Sequence, residues 1–163
     1  LRNQPIMKKI INFLFSPVIG WIIIFELISA AIGFSTSLGM YPWYINLKKS
    51  SLTPPGYIFS IVWPLLYSSL AILGYRLYKS KINPNIYILF KLYCIQMILN
   101  WLWSPIFFNL HLTYIALLIL ILIVIINGYI ILQLSGYNKY LILPYFLWIC
   151  FALYLNAVIV IIN

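Results

Sequence analysis

The sequence predicts an all-α integral membrane protein, a bundle of five transmembrane helices. Three observations carry that prediction. Of 163 residues, 65% are hydrophobic and only 7% charged, where a soluble domain carries about 25% charge. Such a chain cannot cover a water-facing surface. The apolar residues fall into five runs long enough to cross a bilayer, which takes about 20 residues each. Turn chemistry separates the runs, and together they leave no stretch for a separate soluble domain, so residues 1–163 read as one five-helix unit.

The first span is expected at about 13–38 and ends at Gly39 and Pro42. Met7-Lys8-Lys9 before an apolar run resembles a signal peptide. The run continues past the 7–15 residues of such a segment, which favours a retained span. Leu1–Ile6 precede a Met and are expected to lie outside the natural start. A loop at 39–54 follows. The second span, 55–78, opens at Pro54-Pro55-Gly56, since proline is tolerated in a first helical turn. Asn83-Pro84-Asn85 precedes the third span, 86–108. Asn109–Thr113 breaks it from the fourth, 112–134, and Gly136-Tyr137-Asn138 precedes the fifth, 140–162. The fourth is almost entirely Leu, Ile and Val, the composition of a pure lipid anchor.

Composition excludes most catalysis. Glu26 is the only acid and His111 the only histidine, so paired carboxylates, a Ser-His-Asp triad, a Mg²⁺ site and a closed zinc site are all unavailable. No metal and no cofactor is expected, and no conventional acid–base site. The net charge of +9 is not a nucleic-acid footprint, because the basic residues sit in short connections. Cys94 and Cys150 lie inside apolar runs and read as small apolar residues. Arg2, Lys8, Lys9, Arg76, Lys79, Lys81, Lys91 and Lys139 fall on the N-terminal side, against Lys48 and Lys49 on the other. The positive-inside rule then predicts a cytoplasmic N-terminus, taking a bacterial-type inner membrane, with 39–54 outside.

Polar and aromatic residues inside the spans are periodic. Gln96, Asn100, Trp103 and Phe107 share one helical face. So do Tyr145, Trp148, Ala152 and Asn156, and likewise Phe59, Trp63, Tyr67, Leu70 and Gly74. Polar groups in hydrocarbon must be paired, so these faces turn inward. Gln96, Asn100 and Asn156 are open to two readings: interhelical hydrogen-bond partners only, or amides in an aromatic cavity for a flat apolar ligand. Three faces of this make-up favour the cavity, though periodicity does not name its ligand.

The run Trp43-Tyr44, Leu47, Lys49, Pro54-Pro55, Phe59, Val62-Trp63, Leu66-Tyr67 resembles the first loop and second helix of the translocator protein family. Its members are also called tryptophan-rich sensory proteins or peripheral-type benzodiazepine receptors. Gln96, Leu99-Asn100, Trp103-Ser104, Phe107-Phe108 is similar to that family's third helix, and Pro144-Tyr145, Trp148, Phe151-Ala152, Leu155-Asn156 to its fifth. The resemblance covers about 43–163. It implies a five-helix membrane protein, often a homodimer, with a cavity beneath the first loop. Members bind tetrapyrroles such as protoporphyrin IX, and several bind cholesterol or isoquinoline carboxamides. The implied ligand wall is Tyr44, Pro55, Trp63, Tyr67, Asn100, Trp103, Phe107, Trp148 and Ala152, to which the inward faces add Phe59 and Gln96. Trp63 and Trp148 match tryptophans associated in bacterial members with light- and oxygen-dependent porphyrin breakdown. The expected function is a membrane receptor or translocator for such a ligand, transporting, sensing or photodegrading it, with membrane lipids as its other partners. Three features depart from the family pattern. The loop reads Lys49-Ser50-Ser51-Leu52 where Lys-Pro and a nearby Trp are common, and Tyr57 replaces a Trp. Residues 156–163 lack the Tyr and Lys/Arg of a sterol-recognition pattern.

Several residues remain outside that reading. Glu26, halfway along the first span, shares a stripe with Ser29, Gly33 and Ser37. It reads either as a protonated carboxyl bonded to a neighbouring helix or as a proton relay. The second reading is the alternative function: a proton-coupled exporter of the small multidrug type. His111 reads as a boundary residue, with haem ligation the other option. Trp21 and Tyr154 are expected to face lipid or the interface, and Trp101 to serve packing or a dimer contact. Lys48 and Lys49 are expected to be solvated or to meet anionic lipid, and could alternatively attract propionates.

Overall fold

The structure, a computed structural model, describes residues 16–163. Arg2, Lys8, Lys9, the first residues of the expected first span and the signal-peptide question lie outside the described residues. Five helices are long and apolar enough to cross a membrane, and each has a local reason to start where it does.

Helix α1 (Pro17–Met40) follows an extended Ser16, with Pro17 in its first turn. A short helix, α2 (Trp43–Asn46), lies in the connection expected as a loop. Helix α3 (Gly56–Lys79) begins after the extended Pro55. Helix α4 (Pro84–Ser104) is capped by Asn83, whose side chain accepts the Asn85 N–H at 3.0 Å. It continues into a wider π turn over Pro105–Asn109, closed by Leu110 N–H on the Pro105 carbonyl at 3.0 Å. Pro105 has no N–H to offer the α ladder, so the helix loosens there. The continuous 3.6-residue register assumed for the third span therefore ends at Ser104. After His111, whose φ of +57° reverses the chain, come α5 (Thr113–Gln133) and α6 (Tyr137–Ile162).

The core lies between α3, α4, α5 and α6, where Leu70, Leu77, Met97, Leu120, Ile130 and Ile142 are fully buried. Helix α1 packs across α3 and the π turn, with Phe25 its only buried side chain. Ile24, Leu27 and Phe34 on α1 stay exposed, the apolar surface that lipid would cover. Two close approaches depend on glycine. A Cβ at Gly74 would overlap the Tyr93 ring, and one at Gly39 would overlap the Phe108 backbone.

One expectation is corrected and three are made more specific. Helix α5 is no mere lipid anchor: Ala116, Ile119, Leu120, Ile123, Asn127 and Ile130 form a buried face, because at its three- and four-residue spacing it packs against α4 and α6. Trp21, half-buried, packs on Phe25, Tyr75 and Tyr78 at 5.8–6.4 Å between ring centroids. Trp101 meets Phe25 edge-on at 5.5 Å, the packing alternative of its two readings. The 39–54 connection carries the short helix α2.

Candidate ligand cavity

Beneath α2 lies a cavity of about 550 Å³, within the range of small-molecule sites. Helix α1 contributes Ser29, Ala30, Gly33, Thr36, Ser37 and Met40, all small or flexible side chains. Helix α3 contributes Phe59, Ser60, Trp63, Pro64 and Tyr67, α4 and its π turn Asn100, Trp103, Ser104, Phe107 and Phe108, and α6 Trp148, Ala152, Leu155, Asn156 and Ile159. No α5 residue reaches it; that helix stands behind α4 and α6.

Aromatic rings line most of the wall. Trp63 stacks on Tyr67 at 5.3 Å, Trp103 on Phe107 at 5.5 Å, and Phe59 meets Trp148 edge-on at 5.6 Å. The π turn brings Phe107 and Phe108 against Tyr44 of the lid at 6.1 and 5.0 Å. Burial pushes the Tyr44 phenol above its usual range, so it remains a neutral O–H. Thr36 and Ser104 hydroxyls bond to each other across α1 and α4.

The polar groups form a chain running away from the cavity. Tyr67 donates to Asn100 Oδ1 at 2.6 Å, and Asn100 Nδ2 donates to the Tyr145 hydroxyl at 2.9 Å. Tyr145 in turn donates to Gln96 Oε1 at 2.9 Å, which also accepts from Asn127 Nδ2 at 3.2 Å. Four helices are thereby joined through one buried network. Separately, Trp103 Nε1 donates to Asn156 Oδ1 at 3.2 Å, and Asn156 Nδ2 to the Thr113 carbonyl at 3.0 Å.

Of the residues singled out from sequence, the fold brings Tyr44, Phe59, Trp63, Tyr67, Asn100, Trp103, Phe107, Trp148 and Ala152 around this one cavity. Two do not join them. Gln96 is fully buried one turn beyond Asn100, where Tyr145 and Asn127 use it instead. Pro55 is exposed at the start of α3, while its neighbours Pro54 and Gly56 line the wall. Sequence reasoning missed Asn127, although its spacing from Ile123 and Ile130 marks the buried stripe of α5. The α1 side of the wall was read only as a stripe for close helix approach.

The lid is tied down at several points. Lys49 Nζ donates to the carbonyls of Tyr44, Ile45 and Leu47 at 2.7, 3.1 and 3.0 Å. Those bonds use all three ammonium protons, so Lys49 caps α2 and has no donor left for a ligand in the cavity. The Asn163 side chain pairs with both backbone groups of Lys48, at 2.9 and 3.0 Å. Ser50 bonds the Tyr154 hydroxyl at 2.9 Å. His111 lies face-on against Trp43 at 4.1 Å, and among the described residues no group of three His, Cys, Asp or Glu could hold a metal.

An all-helical protein with five membrane-length helices and a lidded aromatic cavity among four of them is the class defined so far. The chain belongs to the TspO/MBR family, whose model matches residues 21–162. It is therefore an integral, multi-pass membrane protein. It is similar to the Tryptophan-rich protein TspO of Archaeoglobus fulgidus, 32% identical over 139 residues that cover 82% of this chain and 90% of that protein. Protein CrtK of Rhodobacter capsulatus is 30% identical over 118 residues, covering 70% of this chain and 74% of its own. The human Translocator protein is 32% identical over 122 residues, covering 70% of each.

Proposed function

We propose that this protein binds a flat hydrophobic ligand in the cavity beneath its lid, with a tetrapyrrole of the protoporphyrin IX kind as the best candidate. The carrying observation is the cavity itself: eight aromatic side chains, Phe59, Trp63, Tyr67, Trp103, Phe107 and Trp148 with Tyr44 and Phe108 towards the lid, line a mostly apolar space of about 550 Å³. Stacked and edge-on rings suit a flat π-system. Tyr44 at the lid and Asn100 on the inner wall are the groups that would fix its polar edge. Family membership supports a translocator or sensor role for that binding. It also favours this reading over proton-coupled export through Glu26. Trp63 and Trp148 are the candidates for photochemistry, because a photoexcited porphyrin generates reactive oxygen beside electron-rich indoles. The same reading includes a homodimer, and a bacterial-type inner membrane with the N-terminus on the cytoplasmic side.

The test is a titration of detergent-solubilised protein with protoporphyrin IX, read by tryptophan fluorescence in the dark and then under illumination. Saturable quenching in the dark, weakened by Trp148→Ala, is the expected result; unsaturable quenching would reject the ligand. Under light, porphyrin absorbance should fall faster than in a micelle-only control. Trp63→Phe combined with Trp148→Phe should abolish that excess loss, and an undiminished loss would remove the photochemical role.

A further inference from the structure

The chain's only acid has no place in that reading. Glu26 sits near the middle of α1 (Pro17–Met40), and Ser68 near the middle of α3 (Gly56–Lys79). Ser68 Oγ donates to Glu26 Oε1 at 2.9 Å, bridging the two helices. Ala30, four residues after Glu26, and Pro64, four before Ser68, both line the cavity. Ser29, three residues after Glu26, and Tyr67, next to Ser68, line it as well, so the bridge borders the inner end of the cavity without itself forming the wall.

A carboxylate at mid-span is costly and calls for a partner. Two oxygens accept about four hydrogen bonds, and Ser68 is the one side-chain donor to Glu26 among the described residues. The described cations, Lys48, Lys49, Arg76, Lys79, Lys81, Lys91 and Lys139, all lie in connections or within two turns of a helix end. Among the described residues Lys49 is the only cation lining the cavity, and three lid carbonyls hold its ammonium at the opposite end. The inner end of the cavity therefore has an acid beside it and no described cation.

We propose that Glu26 and Ser68 form an inner subsite of the cavity that receives a protonated amine carried by a flat, lipophilic ligand. This rests on the cavity being a ligand site and adds the charge that its ligand carries at the inner end. Acidic groups of the same ligand, such as propionates, would then lie towards the lid.

Three matched probes separate the two readings: 1-pyrenemethylamine, 1-pyrenemethanol and 1-pyrenecarboxylate, added to the full chain in neutral maltoside micelles. Binding is followed by pyrene emission excited through tryptophan. One charge-assisted hydrogen bond should make the amine bind about tenfold more tightly than the alcohol, with the carboxylate weakest. Glu26→Gln, which preserves shape, should bring amine and alcohol within about twofold and leave alcohol affinity unchanged. A wild type that binds carboxylate as tightly as amine would overturn the subsite whatever the variant does. So would an amine preference that survives Glu26→Gln. If pyrenemethanol itself fails to saturate, the cavity reading fails first and the subsite falls with it.

Discussion

At the scale of single residues, the buried amide and phenol groups carry the sharpest consequences. Tyr145 both accepts from Asn100 and donates to Gln96, and it is completely buried. Tyr145→Phe would leave an Asn100 amide proton without a partner and Gln96 Oε1 with only its bond from Asn127. Unpaired buried groups cost about 1–3 kcal/mol each, so we predict a clear fall in thermal midpoint in detergent. Removing the exposed hydroxyl of Tyr140 by the same change should leave the midpoint unaltered. Asn100, Asn156 and Gln96 were legible in the sequence as inward-facing, since amides inside a span must be paired. Whether each meets a cavity or a neighbouring helix was not legible. Asn100 does both, while Gln96 serves only the network.

Among elements, the contact between α1 and the π turn brings backbone against backbone at Gly39. Gly39 lies where any Cβ would strike the Phe108 carbonyl, whereas Gly33 has open space around it. Gly39→Ala should therefore destabilise the protein by about 1–3 kcal/mol, and Gly33→Ala should leave stability within about 0.5 kcal/mol of wild type. Differential scanning of both variants in the same detergent measures the contrast. The lid gives a kinetic counterpart. Asn163→Ala deletes the two bonds that hold Lys48, a loss of about 1 kcal/mol. We predict protoporphyrin IX release faster by about three- to tenfold in stopped-flow mixing, with helix content unchanged. Release at the wild-type rate would mean that the Lys49 contacts and the Trp43–His111 stack hold the lid without it.

For the whole molecule, the charge distribution predicts an orientation. Arg76, Lys79 and Lys81 lie at the end of the bundle opposite the lid, as does Lys139 in the first turn of α6, while Lys48 and Lys49 belong to the lid. On the positive-inside rule the lid should face away from the cytoplasm. In a background lacking Cys94 and Cys150, Ser51→Cys should react with an impermeant maleimide applied outside spheroplasts. Ser80→Cys should react only after the membrane is opened. The reverse pattern would invert the orientation.

Sequence alone determined that five helices cross a membrane, because length, hydropathy and proline-glycine punctuation are local properties that neighbours cannot override. It also determined which faces of the second, third and fifth spans turn inward, since burying polar groups in lipid is prohibitive. Tertiary structure decided the rest. Only packing could show that α5 hides Asn127 behind the cavity, that Pro105 opens a π turn aiming two phenylalanines at the lid, and that Lys49 spends its hydrogen-bond donors on the lid's own carbonyls. Only packing could place Ser68 against Glu26. Those outcomes depend on which helix stands beside which, a choice that periodicity along one helix cannot encode.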